Sequence, residues 1–292
     1  MHRFLDLTLN GISIGSIYAA VALALVMIWR STRIVNFAQG GMLMITTFIA
    51  SSVISSGGSY WLGFAVALAS GLLLGALVEQ LLIKHVASRP PLNAVIVTLG
   101  RLVLLEAGAG MMWGNTPRSF PPAFSIRGYE IGGSRVLFSP NDTFTVLVVA
   151  GVACALALLF QRTELGLRLR AAAFAPEVAR MLGVRVGRML TLGWALAALV
   201  GSLAGVLVAP SVFVGPNQFD SVLIFGFTAA ILGGLDSPVG AVLGGILLGL
   251  ALSYVSGYEG SSLVTLAALV ILLAVLMVRP GGLFSSTAER RV

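Results

Sequence analysis

Three ionisable side chains, Glu79, Arg101 and Glu106, fall inside long apolar stretches of this 292-residue chain. A lone charge at the centre of a bilayer costs roughly 3 kcal/mol or more, so such residues are paired or functional. Glu79 lies near the end of one apolar run and Arg101 a third of the way into the next, which predicts a structural ion pair between them. Glu106 alone approaches the midplane, where proton-coupled transport would place its carboxylates. Asn10, Ser13 and Ser16 recur every three residues and share one helical face. That face either lines a polar path or hydrogen-bonds to neighbouring helices. Two places break the apolar pattern outright: 36–41, Asn-Phe-Ala-Gln-Gly-Gly, and 233–238, Gly-Gly-Leu-Asp-Ser-Pro. Irregular backbone at membrane depth survives only where it is buried in protein or lines a cavity, and broken segments point to a transport site. The expected path lining is Asn10, Ser13, Ser16, Asn36, Phe37, Gln39 and Gly40, joined by Phe227, Gly233 and Gly234 from the 219–245 region.

Enzyme chemistry finds no foothold. The chain's Gly-x-Ser-x-Gly, residues 11–15, lies within the first apolar run, there is no His-Glu-x-x-His, and His2 and His85 are too few and scattered for a metal site. Cys154 is the single cysteine, so an intrachain disulfide is excluded. Lys84, the single lysine, stands between Ile83 and His85. A phosphate-gripping loop needs Gly-Lys followed by Ser or Thr. If ATP drives this protein, the ATPase is a separate chain, and no cofactor is expected in this one.

The elements that carry these residues follow from composition. The chain is 58% apolar and 10% charged, with mean hydropathy +0.99, whereas soluble domains carry about 25% charge. Lipid is its solvent. The net charge of +7 does not indicate nucleic acid, because the basic residues sit between apolar runs. Nine such runs occur: 7–28, 34–56, 61–83, 94–113, 142–161, 189–209, 219–232, 240–257 and 262–278. Crossing about 30 Å of hydrocarbon takes about 20 helical residues. The run 219–232 is short for this, and 34–56 opens with polar and glycine residues, so whether each fully crosses is open. The expected fold is an all-α polytopic membrane protein of eight or nine segments, with broken or re-entrant helices, forming one transmembrane domain over 1–292.

Lys and Arg mark the cytoplasmic side. With the N-terminus outside and every run crossing, thirteen basic residues fall inside: Arg30, Arg33, Lys84, Arg89, the six Arg of 162–188, Arg279, Arg290 and Arg291. Arg3, Arg118, Arg127 and Arg135 fall outside. The bias predicts N-out and C-in. The outer connection 114–141 is proline-rich, and alternation around Gly132-Gly133 predicts a short hairpin. Small-xxx-small pairs, Gly11/Gly15, Gly71/Gly75, Gly201/Gly205, Gly240/Gly244 and Gly245/Gly249, predict close helix packing.

The longest inner interruption, 162–188, carries six Arg against Glu164 and Glu177. Within it Pro176 suits a first helical position, Glu177 complements the helix dipole, and Val178, Met181 and Leu182 form an apolar stripe. Gly183 suits the left-handed stop. A short amphipathic helix outside the lipid has the form of a docking part; a basic loop that only fixes topology is the alternative.

Four ordered stretches carry a resemblance: NGISIGSIYAAVALALVMI followed by IVNFAQGGMLMI, RAAAFAPEVARMLGV, FTAAILGGLDSPVGAVLGGILLGL, and the closing MVRPGGLF. They resemble the branched-chain amino acid ABC importer permeases, nearest to the H-type of the two permease subunits. The resemblance implies two ATP-binding subunits, with ATP and Mg bound there, a second homologous permease, and an extracytoplasmic solute-binding protein, in a bacterial plasma membrane. It also implies that Glu177, Ala179 and Gly183 match the core by which ABC permeases seat a helix in the ATPase, with Arg180, Met181 and Leu182 in the same contact. Gln39 stands where the family pattern has His, and Phe225 where a Lys is often found. Related permeases carry urea or short amides, so the substrate stays a family expectation. Two readings from other classes remain: a stand-alone secondary transporter or channel, and a non-transporting scaffold.

Overall fold

The computed structural model describes residues 2–83, 91–131 and 134–284. Lys84, His85, Arg89, Gly132, Gly133, Arg290 and Arg291 lie outside the described residues. A chain immersed in hydrocarbon must satisfy its backbone N–H and C=O groups internally, and the apolar runs do so as helices. In chain order these are α1 (His2–Thr32), α2 (Gln39–Ser55), α3 (Tyr60–Val78), α4 (Pro91–Trp113), α5 (Pro140–Arg162), α6 (Glu164–Phe174), α7 (Pro176–Met181), α8 (Val186–Val208), α9 (Asp220–Gly233), α10 (Pro238–Tyr258) and α11 (Val264–Val278). A π-turn, Glu79–Ile83, extends α3. An antiparallel ribbon pairs β1 (Glu130–Ile131) with β2 (Ser134–Arg135), flanking the expected hairpin turn.

Among the described residues, seven helices are long and apolar enough to cross a membrane. The two shorter apolar ones, α2 with 17 residues and α9 with 14, are the two runs whose crossing the sequence left open. At 1.5 Å per residue they reach about 26 and 21 Å, against about 30 Å of hydrocarbon. By its internal contacts the chain divides into two compact units. One comprises Met1–Val26, Phe124–Ala153 and Ile224–Val292, the other Met27–Ala123 and Cys154–Leu223.

In the first unit, α1 meets α10 backbone to backbone. A Cβ on Gly11 would lie 2.8 Å from Leu250 Cα, and one on Gly15 2.9 Å from the Gly245 carbonyl. Only paired small residues permit that approach. The chain then folds back between α9 and α10. Gly234 takes φ +100°, Ser237 Oγ accepts the Gly240 N–H at 2.9 Å, and Pro238 opens α10. A side-chain cap plus proline at the first position starts a helix sharply. The carbonyls at the end of α9 have no helical donor. The C-terminal segment supplies them: Leu283 N–H donates to Leu232 O at 2.9 Å and Phe284 N–H to Gly233 O at 3.3 Å. Leu283→Pro is expected to destabilise the protein by about 1–3 kcal/mol, because it strands the Leu232 carbonyl. A lower melting temperature in detergent, with Leu283→Ala much closer to wild type, is the check.

In the second unit, α3 lies on α8. A Cβ on Gly75 would fall 2.5 Å from the Trp194 carbonyl, and one on Gly71 3.0 Å from the Ala198 carbonyl. On α8, Gly205 admits Leu43 of α2, whose carbonyl lies 2.9 Å from the virtual Cβ. Trp113 of α4 stacks on Phe48 at 5.1 Å, and its Nε1 donates to Ser52 Oγ at 2.7 Å. Trp194, Phe48 and Gln39 are among the largest fully buried side chains. Every glycine pair singled out in the sequence thus sits at a helix contact.

Candidate translocation path and coupling helix

The segment after α5 is a mount built from short-range signals. Thr163 Oγ1 accepts the Gly166 N–H at 3.1 Å and caps α6. Pro176 occupies the start of α7. Gly183 takes φ +82°, Val184 N–H donates to Ala179 O at 2.9 Å, and Gly183 N–H donates to Arg180 O at 3.0 Å. This doubly bonded glycine stop is a Schellman motif, so the six-residue helix has two defined ends. Ala172 of α6, Ala179 of α7 and Val186 of α8 are buried together, with Val184, Met189 and Leu190 against them. The three helices therefore share a small core. The expected stripe faces the other way: Met181 is 87% exposed, Leu182 78%, and Val178 more than half. A cleft of about 470 Å³ beside it is lined by Leu182, Gly183 and Val184 with Arg168, Arg185 and Arg188. The surface is apolar at its centre and basic at its edge. Glu177 and Arg180 are exposed on the same helix. At the other end of the mount, the Arg33 guanidinium sits 5.8 Å from the Phe174 ring centroid, linking α6 to the end of α1.

The expected path residues are divided between the two units. In the first, Asn10 Nδ2 donates to Ser253 Oγ at 3.4 Å, Ser13 Oγ to Asp142 Oδ1 at 2.7 Å, and Ser16 Oγ to Ile12 O in its own helix at 2.8 Å. The hydrogen bonds of Asn10 and Ser13 tie α1 to α10 and α5. Phe227 is half-buried, and Gly233 and Gly234 are buried at the α9–α10 break. In the second unit, residues 34–38 run non-helical into α2. Asn36 Nδ2 donates to Gln39 Oε1 at 3.2 Å, and Gln39 Nε2 to the Ala197 carbonyl of α8 at 3.4 Å. Asn36, Gln39 and Gly40 are buried, and Phe37 is half-buried. The Asn36 Oδ1 has no hydrogen-bond partner among the described residues.

The expected Glu79–Arg101 pair does not form. Glu79 accepts instead from the Thr191 hydroxyl of α8, at 2.5 Å. Arg101 is 5% exposed, and none of its three guanidinium nitrogens has a hydrogen-bond partner among the described residues. A π-turn at Glu79–Ile83 re-aims the end of α3, and a threonine on α8 was an unforeseen competitor. Sequence reasoning also missed the partner of Glu106. Its carboxyl lies within hydrogen-bonding reach of Asp220, at the start of α9, beside a cleft of about 320 Å³ lined in part by Asn115, Asn217 and Gln218. The acidic first turn of the short run was the available signal.

Long apolar helices joined by two shorter ones, a buried polar break and a short helix with an exposed apolar face suit a membrane permease. Residues 7–279 match the family described as branched-chain amino acid transport system / permease component, and the chain belongs to that family. It is 28% identical to the high-affinity branched-chain amino acid transport system permease protein LivH of Salmonella typhimurium, over 99% of this chain and 98% of the relative. It is 26% identical to the corresponding BraD protein of Pseudomonas aeruginosa, over 100% and 99%. Among solved structures, PsaBC from Streptococcus pneumoniae in complex with Fab aligns over 96% of this chain and 93% of that one, at TM-score 0.54 and 16% identity. That likeness concerns the fold alone.

Proposed function

We propose that this chain is the transmembrane permease subunit of an ATP-driven importer for branched-chain amino acids, working in a bacterial plasma membrane. Two ATP-binding chains hold ATP and Mg, a second homologous permease completes the path, and an extracytoplasmic binding protein delivers the solute. The observation that carries the reading is α7: an exposed apolar face, on a helix locked at both ends, seated on a core shared with α8. A part that receives force from a partner must be rigid toward its own chain and bare toward the other. Movement of α7 passes to α8 through Ala179 and Val186. α8 in turn carries the Ala197 carbonyl that holds Gln39 at the polar break. ATP turnover in the partner thereby shifts the lining of the path, an interface-driven rigid-body switch.

One observation favours a second reading. The Glu106 and Asp220 carboxyls, set against one another, suit a proton-coupled transporter that needs no ATPase. The test is purification from native membranes in mild detergent, with co-purifying chains identified by mass. A stoichiometric P-loop ATPase supports the importer. A chain that emerges alone, and whose uptake follows a proton gradient, overturns it in favour of the second reading.

A further inference from the structure

Arg101 is a buried cation whose three guanidinium nitrogens lack hydrogen-bond partners among the described residues. Removing a charge from water and leaving it unpaired is among the costliest things a fold can contain. Such a group persists where something outside the chain completes it. Its place in the fold says what that is. Around Arg101, α4 runs along the polar break that leads into α2. Thr98 Oγ1 reaches the Val35 carbonyl at 3.4 Å, and a Cβ on Gly41 would touch Leu105 and Leu102 at 3.1 and 3.3 Å. Arg101 lies within that stretch, one turn after Thr98 and one turn before Leu105. The break beside it ends in the N-terminus of α2, a 17-residue helix with no side-chain cap at Ala38. The Gln39 N–H is taken by the Asn36 carbonyl at 3.2 Å, and the helix start carries the positive end of the dipole.

An uncapped helix start and a nine-tenths buried guanidinium without a partner among the described residues therefore belong to two helices packed against each other, α2 and α4. A guanidinium and helix N–H groups together match a carboxylate. Asn36 Oδ1, also buried and without a partner among the described residues, is an acceptor suited to a ligand that brings N–H donors as well. We propose that Arg101 receives the carboxylate of the transported solute. The inference rests on the amino acid reading above. It assigns the solute's recognition to its carboxylate end, whereas the branched side chain is left to apolar surface.

The test uses the full chain with its co-purifying partners in lipid nanodiscs, without any solute-binding protein, so that no second recognition site intervenes. Labelled leucine is competed by leucine, 4-methylpentanoate and leucinamide. The expected result on the wild-type protein is that 4-methylpentanoate competes and leucinamide is about 30-fold weaker than leucine, the loss of one charge-assisted hydrogen-bonded contact. Arg101→Gln is expected to lose leucine binding about 30-fold while its ligand-free melting temperature stays level or rises, since an unpaired buried charge has been removed. Arg101→Lys is expected to fall between.

Leucinamide competing as well as leucine on the wild-type protein overturns the proposal without any variant. So does a melting temperature that falls in Arg101→Gln in step with binding, which marks a structural residue. If no branched-chain amino acid binds but another carboxylate-bearing solute does, and its amide does not, the substrate reading fails and Arg101 stands. If nothing bearing a carboxylate binds, the assignment of Arg101 fails.

Discussion

Gly249→Val is expected to leave almost no folded permease in the membrane. A Cβ at this position would meet the Gly11 carbonyl at 2.5 Å, and the Gly15 backbone besides. The obstructing atoms are main chain, so no rotamer change relieves the clash. The helices must part, and what they share goes with them. Thr8 and Tyr254 exchange a hydroxyl hydrogen bond at 2.8 Å, and Ser253 Oγ donates to the Leu7 carbonyl at 2.7 Å. Overpacking a core typically costs about 1–3 kcal/mol, and a rigid backbone obstacle puts this variant at the top of that range or above. Against a total of about 5–15 kcal/mol, that is decisive for a membrane protein under quality control. Gly108→Ala is the control, because a Cβ there meets nothing within 4 Å. The measurement is the yield of monodisperse tagged protein and its melting temperature. Wild-type values for Gly249→Val would mean that α1 and α10 do not meet as described.

How much of this was legible beforehand depends on whether the signal was local. Pro176 and Gly183 bound α7 by their own backbone preferences, and both ends fall where those residues put them. Ser237-Pro238 starts α10 for the same reason. The small-xxx-small pairs could be read because a glycine at a helix contact needs no knowledge of which helix it meets. Partner choice was another matter. Glu79 and Arg101 were matched by depth along their runs, but the π-turn after Val78 and the hydroxyl of Thr191 decide where Glu79 points. The docking of Leu283 and Phe284 onto the end of α9 joins residues some fifty positions apart and has no periodic signature. Asn10, Ser13 and Ser16 were read from spacing as one polar face. Whether that face meets water or a neighbouring helix is a fact about Ser253 and Asp142, which spacing cannot supply.

Met181→Asp combined with Leu182→Asp is expected to stop uptake while leaving the fold intact. Both side chains are among the most exposed large hydrophobics outside the long apolar helices, so their removal breaks no packing within the chain. A central apolar anchor at an interface is worth about 2 kcal/mol or more, and a buried carboxylate opposite it adds a desolvation penalty. Two such changes put the expected loss of transport at about 100-fold or more. Ala179→Asp provides the contrast. That side chain lies in the core of α6, α7 and α8, so its replacement should lower the melting temperature as well as uptake. The paired measurements are solute uptake per folded molecule and the melting temperature of the purified chain. Transport lost at constant melting temperature in the double variant identifies the bare face of α7 as the place where force enters. Transport at the wild-type rate would mean that the face is bare because nothing docks there, and the motion of α8 would then need another origin.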